Sequence, residues 1–224
     1  MDFAYNDEQK EIIKVVRDLV EKEIVPYAAE MDETGKLHEG LLEKLAAQGL
    51  LGVAIPEEFG GAGLDAITIA AIYEELGKGC AGVATTVAAN ALAAYPVSIA
   101  GNDDQKKRYF DIINDDNLAA FALTEPGTGS DAGSVSTRAM KTEDGKGYIL
   151  NGTKCFITNG ALAEVFVVFA NTRKSGGIRG LTAFIVRKGT PGFTVGKAEN
   201  KMGIRASNTT ELIFQDCFVP VEDR

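Results

Sequence analysis

The chain has 224 residues, 45% of them hydrophobic and 25% charged, with a formal net charge of −9. That length holds one large domain or two small ones, and the composition is that of a folded chain rather than a disordered one. The acidic balance speaks against a nucleic-acid or anionic-membrane binder. Cysteines 80, 155 and 217 lack C-x-x-C spacing and His38 is the single histidine, so neither a metal site nor a disulfide framework is expected. A reducing, cytoplasmic setting follows, and the acidic start MDFAYNDEQKEI is unlike a signal or transit peptide.

Residues 1–115 carry helical signals. Asn6 stands three before Gln9 in capping-box spacing, and Ile12, Val15, Val16, Leu19 and Val20 then form one apolar face of a helix that Pro26 closes. A second helix is predicted from Leu41 to Gln48, with Gly49 as its stop. Turn composition over residues 51–64 leads to Asp65, a cap for the helix AITIAAIYEEL. Gly79 to Asn102 contains no charge and is long enough to cross a bilayer, but it is rich in Ala, Gly and Thr and includes Asn90 and Pro96. It reads as a buried core helix rather than a membrane span. The run DDQKKRYFDIIND completes the helical part, with Tyr109, Phe110 and Ile113 inward.

After Asn117 the period changes. LAAFAL, GYILNG, KCFITN, VFVVFA, LTAFIV, GFTVG and TTELIF are short β-type runs separated by Gly, Asn or Lys-Gly turns, a pattern of a β-barrel or sandwich. The expected fold class is therefore α+β, with a helical domain over 1–115 and a β domain over 116–224. The charge divides at the same place, −11 in the first part and +2 in the second, which suits a polyanionic ligand at the β domain.

Two segments carry candidate chemistry. In Phe121-Ala-Leu123-Thr124-Glu125-Pro-Gly-Thr128-Gly129-Ser130-Asp131, a strand runs into a Pro-Gly-x-Gly loop whose N–H groups and hydroxyls can bind an anion or a ring carbonyl. A plain Gly-rich connection explains the same residues, and no Rossmann fingerprint surrounds them. In the second segment, Asn151-Gly152 signals a hairpin between two strands. The strand at 154–158 then alternates, setting Phe156 and Thr158 on one face and Cys155 and Ile157 on the other. An aromatic ring two positions from a hydroxyl can stack on a planar ligand and bond its edge, although core packing gives the same pattern.

Together these segments resemble the acyl-CoA dehydrogenases, flavoenzymes that oxidise fatty acyl thioesters. The blocks that carry the resemblance are LGVAIPEEFGGAGLD at 51–65, LTEPGTGSDAG at 123–133, YILNGTKCFITNG at 148–160 and GTPGFTVGKAENKMGIRASNTTELIF at 189–214. It runs from Phe3 to Arg224 and is nearest to short-chain, butyryl-CoA-like members. It implies an N-terminal helical domain, a middle β domain and a C-terminal four-helix domain, the last not represented in these residues. It also implies FAD as cofactor, an acyl-CoA substrate, an electron-transfer flavoprotein as partner and a homotetramer in fatty acid metabolism.

By that resemblance, FAD contacts fall on Phe121, Leu123, Thr124, Gly129, Ser130, Phe156, Ile157 and Thr158. Leu123 and Thr124 would bond the pyrimidine edge of the flavin, and Phe156 would pack on the ring where many members have Trp. Thr158 would bond flavin N5. Ser130 would meet both the pyrophosphate and the CoA chain, and the uncharged helix at 81–100 would line the acyl pocket. No residue matches the family's glutamate base, so no catalytic residue is assigned. Glu125 and Asp131 read as loop-organising groups, His38 as a surface residue and Cys155 as packing. Two other readings stay open on the sequence: an acyl-CoA oxidase or flavin monooxygenase of the same superfamily, and a non-catalytic binding or assembly module.

Overall fold

The computed structural model describes residues 4–173 and 177–224. Helix α1, Asp7–Leu19, opens on the expected box: Asn6 Oδ1 accepts from the Gln9 N–H at 2.8 Å while the Asn6 N–H donates to Gln9 Oε1 at 3.1 Å. These bonds satisfy two donors that a helix start leaves orphaned. Ile13, Val16 and Val20 are buried, whereas Val15 of the predicted stripe stays half in solvent. Pro26 does not end the helical course as the sequence suggested. A wide π turn at Val20–Ile24 and a 3₁₀ turn at Val25–Tyr27 carry the chain past it into α2, Ala28–Thr34. Proline is tolerated there because it sits in the first turn of a new segment, where its missing N–H has no partner to lose.

Helix α3, Leu41–Ala47, is stopped by Gly49 in the left-handed region. Helix α4, Ala66–Gly79, is capped by Asp65, whose Oδ1 accepts from the Ile67 N–H at 2.8 Å. Helix α5, Ala81–Ala100, is the long uncharged one, and α6, Asp103–Asn114, turns Tyr109, Phe110 and Ile113 into the core. By length and composition α5 could cross a membrane, but half of it is packed inside the protein. Its outer side departs from the expected full burial. Leu92, Tyr95 and Ile99 form an exposed apolar stripe at helical spacing.

The β part is a single curled seven-stranded sheet, which gives the α+β architecture expected from the sequence. β1, Ala119–Ala122, runs parallel to β4, Val165–Asn171, and β5, Leu181–Arg187, lies antiparallel on the other edge of β4. β2, Arg138–Lys141, pairs with β3, Gly147–Thr158, which pairs with β7, Thr209–Pro220. The last neighbour of β7 is β6, Phe193–Ala198. The curl brings β5 against β7. Inside it, Phe193 stacks on Phe214 with centroids 5.0 Å apart and meets Phe166 edge-on at 4.8 Å.

One turn signal was misleading. Asn151-Gly152 makes no hairpin; GYILNG and KCFITN are one strand, β3, with a bulge between Leu150 and Gly152. Glycine is needed there for proximity: a Cβ on Gly152 would lie 2.4 Å from Thr137 Oγ1. Asn151 serves the bulge too: its amide donates to the Asp216 carboxylate on β7 at 3.1 Å, and its Oδ1 accepts from the Asp216 backbone N–H at 2.9 Å.

Helices and sheet are joined by buried amides. Asn90 on α5 donates to the Leu51 carbonyl at 2.8 Å and accepts from the Ala119 N–H of β1. Asn159, just past β3, donates to the carbonyls of Thr86 on α5 and Ala119 on β1 at 3.0 and 3.2 Å. The start of β1, the middle of α5 and the end of β3 are thereby held as one unit.

Candidate functional site

β1 leads straight into Leu123 and Thr124, after which a tight turn is closed by reciprocal backbone bonds between Glu125 and Thr128 at 2.9 and 3.0 Å. The Thr128 hydroxyl donates to the Ser134 carbonyl at 2.9 Å, and the Ser134 hydroxyl bonds Asp131. Gly129 and Ser130 occupy the exposed part of this loop.

Glu125 organises it. Its buried carboxylate accepts from the N–H and hydroxyl of Ser136 at 2.7 and 2.5 Å, and from the Thr137 N–H at 2.9 Å. The Thr137 hydroxyl also donates to it, and so does the Lys154 ammonium at 2.8 Å. Burial alone would raise this carboxyl's pKa, but bonds from Lys154, Ser136 and Thr137 outweigh it and bring the pKa down to about 2. Lys154 is fully buried; desolvation pulls its pKa below the ordinary lysine value while Glu125 pushes back. Its ammonium also donates to the Leu123 carbonyl at 3.0 Å.

A second bulge explains the burial of Lys154. Lys154 pairs with Leu212 and Ile157 with Thr210, so Cys155 and Phe156 together oppose a single residue of β7. Lys154 and Cys155 consequently both point inward, and Phe156 is thrown outward at φ 57°, 64% exposed. An aromatic residue in the left-handed region costs roughly 1–3 kcal/mol, a strain that tends to persist where it serves a ligand. Ile157 is buried behind it, and Thr158 is half-buried beside Thr209. The Cys155 N–H donates to the Thr124 carbonyl at 2.9 Å, so the two sequence-predicted segments are direct neighbours.

The two joined segments carry a set of open donors. Among the described residues, no protein acceptor meets the backbone N–H of Leu123 or Thr124, and the hydroxyls of Thr124, Ser130 and Thr158 have no protein partner. An exposed flat ring beside such donors fits a planar, acceptor-rich heterocycle with an anionic tail, as FAD is. The half-buried ring of Phe121 packs against Phe169 at 5.0 Å, and Ile157 is buried. Among the described residues no group of His, Cys, Asp and Glu is arranged to hold a metal ion. His38 stacks on Tyr27 with centroids 3.5 Å apart, in the helical part.

Sequence reasoning missed Lys154, Asn159 and the clamp role of Asn90. A lysine inside an otherwise apolar strand, with a glutamate in the neighbouring motif, was the available signal for the first.

Comparison with known proteins bears on this geometry directly. Residues 6–114 match the family model for the acyl-CoA dehydrogenase N-terminal domain, and residues 120–217 match that for the acyl-CoA dehydrogenase middle domain. The chain belongs to the acyl-CoA dehydrogenase family. A short-chain specific acyl-CoA dehydrogenase of Clostridium acetobutylicum is 40% identical over all of this chain and 59% of its own length. An acryloyl-CoA reductase (NADH) of Anaerotignum propionicum is 43% identical over 98% of this chain and 56% of the relative.

Solved structures agree. Butyryl-CoA dehydrogenase from Megasphaera elsdenii superposes with a TM-score of 0.93 at 43% identity, covering all of this chain and 59% of that one. A chain from work on the electron transferring flavoprotein of Acidaminococcus fermentans gives 0.94 at 42% identity, again over all of this chain and 59% of the other. An acyl-CoA dehydrogenase complexed with FAD from Bacillus anthracis gives 0.87 at 38% identity, over 98% of this chain and 37% of that one. This chain therefore spans well under two thirds of the length of these relatives. Helix α6 ends at Asn114 and the first strand begins at Ala119, and buried Asn90 and Asn159 are bonded between the helices and the sheet.

Proposed function

We propose that this chain is the helical and β portion of an FAD-dependent acyl-CoA dehydrogenase acting on a short-chain acyl-CoA, with electrons passing to an electron-transfer flavoprotein. The observation that carries the reading is Phe156, held exposed at a strained bulge whose Cys155 N–H is bonded to the Thr124 carbonyl, in the segment where the N–H groups of Leu123 and Thr124 have no protein acceptor. FAD, when bound, supplies the two-electron acceptor, its N5 taking the β-hydrogen of the acyl chain as hydride.

The chain's residues divide the remaining work. The Phe156 ring packs on the isoalloxazine, and Thr158 donates its hydroxyl at N5. The Leu123 and Thr124 N–H groups and the Thr124 hydroxyl bond the pyrimidine edge. Gly129 lets the loop approach, and Ser130 donates to the pyrophosphate and the CoA chain. Helix α5, with its exposed Leu92, Tyr95 and Ile99, would help line the acyl pocket. Glu125 does not serve as the α-proton base, since its carboxylate is already saturated by donors and held ionised beneath the loop. The working protein is read as a cytoplasmic homotetramer of fatty acid metabolism.

The names of the relatives include both a dehydrogenase and a reductase, so the direction of the reaction is left to experiment. The test is an FAD titration of the full-length gene product followed by anaerobic addition of butyryl-CoA. Stoichiometric FAD that bleaches on butyryl-CoA supports the reading. FAD that stays oxidised with every saturated acyl-CoA rejects it, and oxygen consumption during turnover would move the protein to the oxidases.

A further inference from the structure

We infer that Lys154 is a positioning residue that sets how tightly the site holds the reduced cofactor, acting through the peptide unit between Leu123 and Thr124. The inference rests on the FAD reading above. Lys154 Nζ donates to the Leu123 carbonyl oxygen at 3.0 Å. That carbonyl and the Thr124 N–H belong to one resonant peptide group. A cation on the oxygen draws electron density through the amide and makes the N–H a stronger donor, as in any polarised hydrogen-bond chain. The Thr124 N–H is one of the two that lack a protein acceptor, so its strengthened dipole is available to a ligand. Two-electron reduction of a flavin puts negative charge on its pyrimidine side. A stronger donor there favours the reduced form over the oxidised one, and more so where solvent does not screen the cation. Lys154 has no exposed surface.

Glu125 opposes this effect. Its carboxylate lies 2.8 Å from the same ammonium and is held in place independently by Ser136 and Thr137. The two members of the pair therefore act on the peptide dipole with opposite sign. A pair that served packing alone would give the same sign whichever member was removed, because either loss would loosen the same loop.

Full-length gene product loaded with FAD, as wild type, Lys154→Met and Glu125→Gln, is titrated for its flavin midpoint potential and its FAD dissociation constant. Lys154→Met is expected to weaken binding of reduced relative to oxidised flavin about tenfold, a fall of about 30 mV for a two-electron couple. Glu125→Gln leaves the ammonium uncompensated and, titrated at a pH low enough to keep that buried lysine protonated, is expected to raise the potential by a similar amount. Shifts of the same sign, or no shift in either variant, overturn the inference. Should Lys154→Met not fold, Glu125→Gln decides alone: a rise supports the role and a fall or no change refutes it. Wild-type protein that takes up no FAD refutes the cofactor reading itself, a result separate from any difference between variants.

Discussion

The backbone N–H of Cys155 donates to the carbonyl of Thr124 across 2.9 Å, tying the end of one motif to the bulge in the other. Thirty-one residues separate them in sequence, yet the bond makes Thr124 and Phe156 parts of one surface. It also explains why the bulge matters: in a regular strand Lys154 and Phe156 would share one face, and only the extra residue at 155–156 lets the ammonium be buried while the ring stays exposed. The buried ammonium and the exposed ring are thus products of one register shift.

Thr158 offers a hydroxyl with no protein partner at the end of β3, two residues beyond Phe156. If it donates at flavin N5, Thr158→Ala in the full-length protein should slow flavin reduction by butyryl-CoA about tenfold, the scale of one ordinary hydrogen bond. Binding of butyryl-CoA should change less than twofold. Stopped-flow reduction across a range of substrate concentrations separates the two quantities, and equal losses in both would remove Thr158 from N5.

Ser130 tests the other end of the cofactor. Its hydroxyl lies on the exposed loop beyond Glu125, and a bond to an ionised phosphate is worth about 1.5–3 kcal/mol. Ser130→Ala should accordingly raise the FAD dissociation constant at least tenfold, measured by flavin fluorescence, with the visible spectrum of the bound flavin unchanged. An unaltered constant would take Ser130 out of the pyrophosphate site.

Much of this was legible in the sequence because local signals and tertiary structure agree. The Asn6 box, the Asp65 cap, the inward face of α6 and the change of period after Asn117 each depend on neighbours a few residues away. What stayed hidden depends on register. Lys154 looks like an outward residue by strict alternation, and only the bulge that opposes two residues to one on β7 turns it in. Gly152 looked like a turn because Asn-Gly usually is one; the close approach of Thr137 that demands it comes from a strand beginning one residue later. The exposed stripe on α5 carries no charge, so composition gave no hint of which side faces out.

Asn159 is buried and left-handed, with its amide donating to Thr86 on α5 and Ala119 on β1. Asn159→Ala removes both bonds and puts a β-carbon residue without compensating side-chain bonds at positive φ. The expected cost is about 2–4 kcal/mol, read as a lower urea midpoint with the same denaturant slope. A loss below about 0.5 kcal/mol would show that the clamp between helices and sheet is dispensable.

Gly152→Ala should be damaging in a different way. The added carbon would meet Thr137 at 2.4 Å from its hydroxyl oxygen and 2.8 Å from its Cα. Thr137 in turn donates to Glu125, so relief of the clash displaces the anchor of the Leu123–Ser130 loop. Both stability and FAD affinity are expected to fall, the former by about 1–3 kcal/mol as for other overpacked sites. Lost stability with an unchanged FAD constant would mean that Thr137 can move without carrying the loop.

The helical domain carries a separable acid-sensitive pair. Arg17 on α1 donates to both carboxylate oxygens of Glu75 on α4, at 3.0 and 2.9 Å, and Lys78 adds a third bond at 2.7 Å. The Arg17 bond, against the opposing cost of burial, holds the Glu75 pKa down at about 2, below its ordinary value of 4.5. The unfolded chain therefore binds a proton at higher pH than the folded one, and stability must fall as pH drops through the interval from about 4.5 to 2. Above that interval the contribution is fully present. Arg17 is half exposed, so the effect should weaken as salt is added. Urea unfolding of wild type and Glu75→Gln from pH 7 to pH 3 checks this: the stability difference between them should shrink towards acid, most at low salt. A difference that stays constant over that range would show that Glu75 keeps an ordinary carboxylate pKa and that the α1–α4 contact rests on its apolar face alone.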